Sequence, residues 1–311
     1  MRMLLVAMLA LLALLPGVAG AGSIEVFPGP GTPLQDAVDA APPGARIVVH
    51  GGEYHETLVL PKPVKLFGVG QVAIGPALGA LQSSCTPAFI VDIASDDVRI
   101  EGGRGRNDDI TIQGGGAAAL RVHGHVGVNL KKLHVLTFCR DAMALDVADV
   151  ARAKIASSHF WAYGSSPAGA PGCRVAGPAT GRVGFMNSSC RGTLAPVAPP
   201  GSFGGPGLLV EDVAAGRAVS VAVSGSVFQS GGDVPVVLRG AGGLSFGRSF
   251  LLATPRILGG PVSPCITLDA TSTRNRVMRS TLQGPVVDLG TANCFRRNVD
   301  EDGTPLPDDC S

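Results

Sequence analysis

Apolar and polar residues alternate over short segments along most of the chain, the pattern of half-buried strands. Near the start, Leu34, Ala37, Val38 and Ala41 instead fall at i, i+3, i+4 and i+7, which predicts an amphipathic helix. Thr32 stands as its N-cap and Pro33 as its first residue, and Pro42-Pro43-Gly44 ends it. Arg46-Ile47-Val48-Val49 then predicts a strand, followed by Gly51-Gly52-Glu53-Tyr54. Leu58-Val59-Leu60 and Val64-Lys65-Leu66 predict two more, and Gly68-Val69-Gly70 a turn.

Beyond this the strands repeat with a period of 25 residues. Ala119-Leu120-Arg121-Val122 matches Ala144-Leu145-Asp146-Val147, Val128-Asn129-Leu130 matches Ala153-Lys154-Ile155, and Leu133-His134-Val135 matches Ser158-His159-Phe160. Looser copies run from Ile90-Val91-Asp92-Ile93 to Val277-Met278. A period in the twenties carrying several strands is a solenoid signature, and the scattered Leu residues disfavour leucine-rich repeats. The expected fold is all-β, a single parallel β-helix with a short N-terminal capping helix, its corners held by Gly and Asn. The helix covers an otherwise open end.

The first 21 residues have a different pattern. Arg2, the apolar run Leu4 to Leu15, the break Pro16-Gly17 and the small residues Ala19-Gly20-Ala21 read as a cleaved signal peptide. The expected organisation is therefore a signal at 1–21 and one domain at 22–311, closed by a segment from about residue 290. The expected location is secreted, periplasmic or at the cell exterior, with no membrane span after cleavage. Seven cysteines, none spaced C-x-x-C, agree with disulfides in an exported chain. Cys173 with Cys190 and Cys294 with Cys310 are reasonable local pairs. Cys85 is within reach of Cys139, and the odd count leaves one cysteine over.

Composition narrows the function. An apolar share of 45% excludes a disordered chain. With 25 Lys+Arg against 24 Asp+Glu there is no basic excess, which argues against nucleic acid and against a polybasic membrane contact. A monomer is the expected state.

Residues 31–70, with Leu34-Gln35-Asp36-Ala37-Val38, Pro43-Gly44-Ala45-Arg46-Ile47-Val48-Val49, Gly52-Glu53-Tyr54 and Leu66-Phe67-Gly68-Val69-Gly70, resemble the N-terminal cap and first coil of the pectin-lyase-like right-handed parallel β-helix proteins. Asn293-Cys294, Asn298, Leu306-Pro307 and Cys310 resemble the closing segment of secreted members. The resemblance implies the fold and a link to polysaccharide, but its catalytic motifs do not transfer. Asp108-Asp109 lacks its companions and reads as solvated turn residues, Gly124-His125-Val126 lacks a second Gly, and Arg174 and Arg182 flank Pro178 at the wrong spacing. The residues imply no cofactor, and the lyase members leave Ca²⁺ as the metal to test.

Stacking supplies the remaining candidates. The repeat places Asp92, Arg121 and Asp146 at one outward position of successive coils, with Arg239 and Asp288 as extensions. Two coil steps separate the carboxylates by about 9.6 Å, near the upper limit for inverting glycoside hydrolysis. An Asp-Arg-Asp row could also hold a uronate and abstract its α-proton. The same row reads equally as a surface ladder of ion pairs. His134 and His159 form a second stacked pair facing outward. Arg140 in the turn Phe138-Cys139-Arg140-Asp141 is a groove-wall candidate, and Trp161 and Tyr163 form a candidate sugar platform beside His159. The Gly/Pro-rich stretches 164–181 and 192–207 flank this region. Two readings stand: a carbohydrate-binding or structural β-helix, and a lyase or hydrolase of acidic polysaccharide using Asp92, Arg121, Asp146, Arg140 and His134.

Overall fold

The computed structural model describes residues 22–76, 85–86, 88–105, 108–163, 169–177, 182–193, 204–211, 220–230, 234–252 and 263–310. The signal reading at 1–21, half of the Gly/Pro stretch 164–181 and most of the stretch 192–207 lie outside them. The strands form two sheets of 9 and 19 strands, and every pairing between named strands but the last is parallel. Each full coil crosses three faces. Ala118–His123, Met143–Ala148 and Cys173–Ala176 lie on the first face, which is the smaller sheet. Val126–Lys131, Arg152–Ala156 and Arg182–Met186 lie on the second, and Leu133–Thr137, His159–Ala162 and Ser189–Arg191 on the third.

The predicted repeat is the observed register. Arg121 pairs with Asp146, Leu130 with Ile155 and His134 with His159. Inward side chains line up along the axis, as in the first-face row Leu120, Leu145, Cys173, Leu208, Val236 and Ile266, all fully buried. Toward the C-terminus the core turns aromatic, with Phe228 edge-on to Phe185 at 6.1 Å and to Phe246 at 6.2 Å. Each such ring adds about 1.5–3 kcal/mol by leaving water. Cys173–Cys190 joins the first and third faces through this core, Cys85–Cys139 and Cys294–Cys310 complete the disulfides, and Cys265 is free and buried.

Three local expectations change. The helix Pro33–Ala40 forms and buries Leu34 and Val38, but Thr32 makes no side-chain cap. The buried Glu56 carboxylate accepts the Leu34 and Gln35 N–H groups at 3.0 and 2.8 Å instead, bonding the cap helix to the first coil. Gly68-Val69-Gly70 lies inside the long strand Val64–Ile74, paired throughout to Ala45–Tyr54. Gly70 at φ +79° and a register shift between His50 and Gly52 bend both strands around a corner without breaking the ladder.

The corners between the second and third faces are not mainly Gly or Asn. Lys132, Ser157, Asn187, Arg248, Arg279 and Arg297 all take positive φ there, with Gly225 the glycine in that series. The buried residue that follows explains why most of these are tolerated. Ser158, Ser188, Ser226, Ser249 and Ser280 each donate to the carbonyl two residues before them. Ser158, Ser188, Ser226 and Ser280 each accept a backbone N–H from the preceding coil. Asn298 ends the row by accepting the Ser280 N–H at 3.0 Å. Asn275 and Asn293 do the same work at the opposite corner. Replacing Ser188 by Ala strands the Ser158 N–H, while the Met186 carbonyl keeps the Ser157 N–H, and should cost about 1–3 kcal/mol in chemical denaturation.

Candidate functional site

On the first face the outward residues of six successive coils alternate in sign: Asp92, Arg121, Asp146, Arg174, Glu211 and Arg239. Asp92 pairs in register with Arg121, Arg121 with Asp146 and Asp146 with Arg174. Arg174 pairs with Leu209, so Glu211 sits one outward position further along its strand, level with Arg239. Arg239 is therefore displaced from the predicted row. Asp288 is not on it either, pairing with the buried Leu268. Coils of unequal length shifted the phase, and Arg174 is the residue the row actually contains.

The charges satisfy one another. Arg121 donates twice to Asp92, Nε at 2.9 Å and an Nη at 2.5 Å, and its guanidinium lies 3.8 Å from the Phe89 ring centre. That fork holds Arg121 firmly protonated and fixes its plane. Arg174 bridges Asp146 at 3.3 Å and Glu211 at 3.1 Å, and Arg239 reaches Glu211 at 3.1 Å. Burial pushes the Asp146 carboxyl above the ordinary carboxylate range, outweighing the pull of Arg174.

The aromatic and histidine candidates converge on the third face and the turn leaving it. His134 and His159 meet edge to face, ring centres 4.9 Å apart. His159 lies 6.1 Å from Trp161, Trp161 is perpendicular to Tyr163 at 5.9 Å, and Tyr163 stacks on Phe138 at 5.3 Å. Trp161 and Tyr163 are half-buried and Phe138 is exposed, so the five rings form an open ledge. His159 hydrogen-bonds the Ser189 hydroxyl at 2.7 Å, and burial with neighbouring His134 lowers its pKa. His134 lies 3.5 Å from Asp109, which is a ring partner here rather than a free turn residue. Asp108 likewise accepts the Gly105 and Gly70 N–H groups at 2.7 and 3.1 Å, tying the turn to the strand. Arg140 projects into solvent at the turn, 70% exposed, with Asp141 3.5 Å away.

Next to Trp161 in register stands Arg191, which sequence reading missed. Its only signal is the alternation Ser189-Cys190-Arg191 around a buried Cys. His123 and His125 do not converge: the first faces Asp149 at 3.6 Å and the second Asp96 at 3.4 Å. Among the described residues no group of three or more His, Cys, Asp or Glu could hold a metal ion. No described helix is long and apolar enough to cross a membrane.

Parallel sheets closed coil upon coil, a capping helix and a core running along the axis define a right-handed parallel β-helix protein. It is similar to the crystal structure of pectate lyase Pel9A, with TM-score 0.50, 12% identity, and coverage of 87% of this chain and 79% of that one. Matches also include a pectin methylesterase in complex with hexasaccharide VII (TM-score 0.41, 15% identity, 82% and 75% covered). A third is pectin methylesterase PemA from Erwinia chrysanthemi (0.35, 14%, 85% and 80%). No protein-family model matches the chain, and no curated protein matches it. At 12% identity the likeness to the pectate lyase shows the fold alone.

Two outcomes follow from the charged row. Asp92→Ala, which strips both bonds from Arg121, should cost about 1–3 kcal/mol in urea denaturation, whereas Arg239→Ala at the exposed end should cost less than about 1. Because the folded pKa of Asp146 is raised, its contribution to stability is complete below the unfolded value, about 4, and is lost as pH rises through the folded one. Asp146→Asn should therefore gain on the wild type as pH rises to neutrality, read from melting temperatures across that range.

Proposed function

We propose that this is an extracellular polysaccharide-binding β-helix whose contact surface is the ledge of His134, His159, Trp161, Tyr163 and Phe138, with Arg140 at its margin. The observation that carries this reading is the contrast between the two surfaces. The acids and arginines of the first face are engaged with each other, and so are poorly placed to take a substrate. The rings of the third face are grouped and open. Flat amphipathic side chains offer area at little entropic cost, with polar edges for hydroxyl groups. The burial that disfavours charge on His159 keeps an imidazole edge available as a neutral hydrogen-bond partner. Three disulfides fit an oxidising compartment, as an exported chain beginning at residue 22 would meet. The pectin-acting enzyme among the structures of this architecture fits a polysaccharide partner.

One observation favours the second reading, a hydrolase or lyase of acidic polysaccharide. Asp146 carries a carboxyl biased toward its protonated form, as a general acid requires, with Arg121 and Arg174 beside it.

The two separate in one experiment. The protein from residue 22 onward is run through native gels cast with uronate-rich or neutral polysaccharides, and the same mixtures are followed by product mass and ultraviolet absorbance. Retardation by at least one polysaccharide, lost in Trp161→Ala and without product, is the expected result. Shortened or unsaturated products that disappear in Asp146→Asn would establish the enzyme instead.

A further inference from the structure

On the second face, remote from the charged row, a trough of about 580 Å³ crosses the strands Arg152–Ala156, Arg182–Met186, Ser220–Ser224 and Ser245–Gly247. Its floor is the in-register outward row Lys154, Gly184, Ala222 and Ser245. Arg152 and Arg182 pair directly along one side, and the exposed Met186 stands on the other.

Two independent features mark this surface. The first is charge. Arg152, Lys154 and Arg182 are exposed, and their side chains have no hydrogen-bond, ion-pair or ring partner among the described residues. Like charges directly opposite on neighbouring strands repel, and on the first face the same protein alternates sign from coil to coil. Here it leaves positive charge uncompensated. The second is shape. Gly184 and Gly247 have no positive φ, and a Cβ added at either would meet nothing closer than 3.9 Å. No backbone geometry or steric constraint requires glycine there, and glycine weakens a strand interior. Gly184 keeps the floor low, and Gly247, in register with Ser224 and Met186, keeps that side of the trough low beyond the methionine.

We infer that this trough is a second glycan subsite, selective for a polysaccharide carrying carboxylate or sulfate groups, with Arg152, Arg182 and Lys154 as its anion contacts. The inference rests on the polysaccharide-binding reading and deepens it by naming the substrate class as acidic. An anionic chain lying along the axis would relieve the repulsion between coils about 4.8 Å apart. A flat bilayer would not reach the floor. The ring of Phe185 is buried beneath it, so no lining aromatic is exposed for a nucleic-acid base to stack on.

The test is calorimetric titration of the full exported chain with polygalacturonate oligomers, heparin, a neutral glucan, a single-stranded oligonucleotide and anionic vesicles. It is run on the wild type, Arg152→Ser/Arg182→Ser, Gly184→Gln and Trp161→Ala. Gly184→Gln fills the floor without touching a charge, and melting curves verify that each variant is folded. The expected result is that the double variant and Gly184→Gln each weaken an acidic glycan by roughly tenfold or more. Neutral-glucan binding should stay unchanged in both, and Trp161→Ala should weaken every glycan that binds. Acidic glycans that bind the double variant as tightly as wild type, while Trp161→Ala loses them, would overturn the subsite and leave the ledge standing. Binding unaffected by any variant, or no glycan binding at all, would overturn both. An oligonucleotide or vesicle that binds more tightly through the same arginines would overturn the glycan assignment.

Discussion

The parallel backbone hydrogen bonds between coils impose a step of about 4.8 Å, and every row of side chains inherits it. A residue on one coil meets the same position on the next, so unfavourable choices recur down the axis as readily as favourable ones. The inward rows meet this demand with branched and aromatic apolar residues in register. The outward rows meet it by alternating charge, and the corners by placing a buried hydroxyl or amide where each coil's N–H would otherwise face apolar core. At corners so anchored the positive-φ residue ahead of the serine is set by the turn, and its side chain points to solvent at liberty, which is how Arg279 comes to occupy a conformation usually given to glycine.

The same step explains what the sequence could and could not disclose. Between residues 118 and 162 two coils have equal length, so the repeat, the Arg121–Asp146 neighbours and the two histidines were legible. Past Ala162 the spacing changes: Asp146 to Arg174 is 28 residues, and Arg174 to Leu209 is 35. Extrapolation to Arg239 and Asp288 failed for that reason, and Arg174 was read against a motif instead of against its neighbours. The signal for it was present in Cys173-Arg174-Val175, apolar on both flanks. Glu56 capping a helix 21 and 22 residues upstream left no local trace, because a cap supplied across the fold has no fixed spacing. The trough was invisible for a similar reason: Gly184 and Gly247 look like turn residues in a chain with 44 glycines, and only register shows them flanking one depression.

Function on such a rod is decided by which rows are left unbalanced. A row whose members answer each other, like the one from Asp92 to Arg239, stiffens the surface and has little affinity to spare. Rows that break the rule, by grouping rings or by repeating positive charge, are the ones the proposed function draws on, because their groups are not already engaged with one another. Two such rows lie on different faces of one sheet, with the corner of serines between them, so a long polymer could engage both only by crossing that edge.

The C-terminus closes with a reversal. After nine parallel strands stacked on the first face, the final strand Asp309–Cys310 runs antiparallel to Cys294–Arg296 and is fastened there by Cys294–Cys310. A solenoid has no intrinsic last coil: its terminal edge offers the same unpaired amides that each earlier coil offered the next. The covalent latch ties the strand that covers this edge to the coil it covers, so the chain supplies its own last rung, running the opposite way to every rung before it.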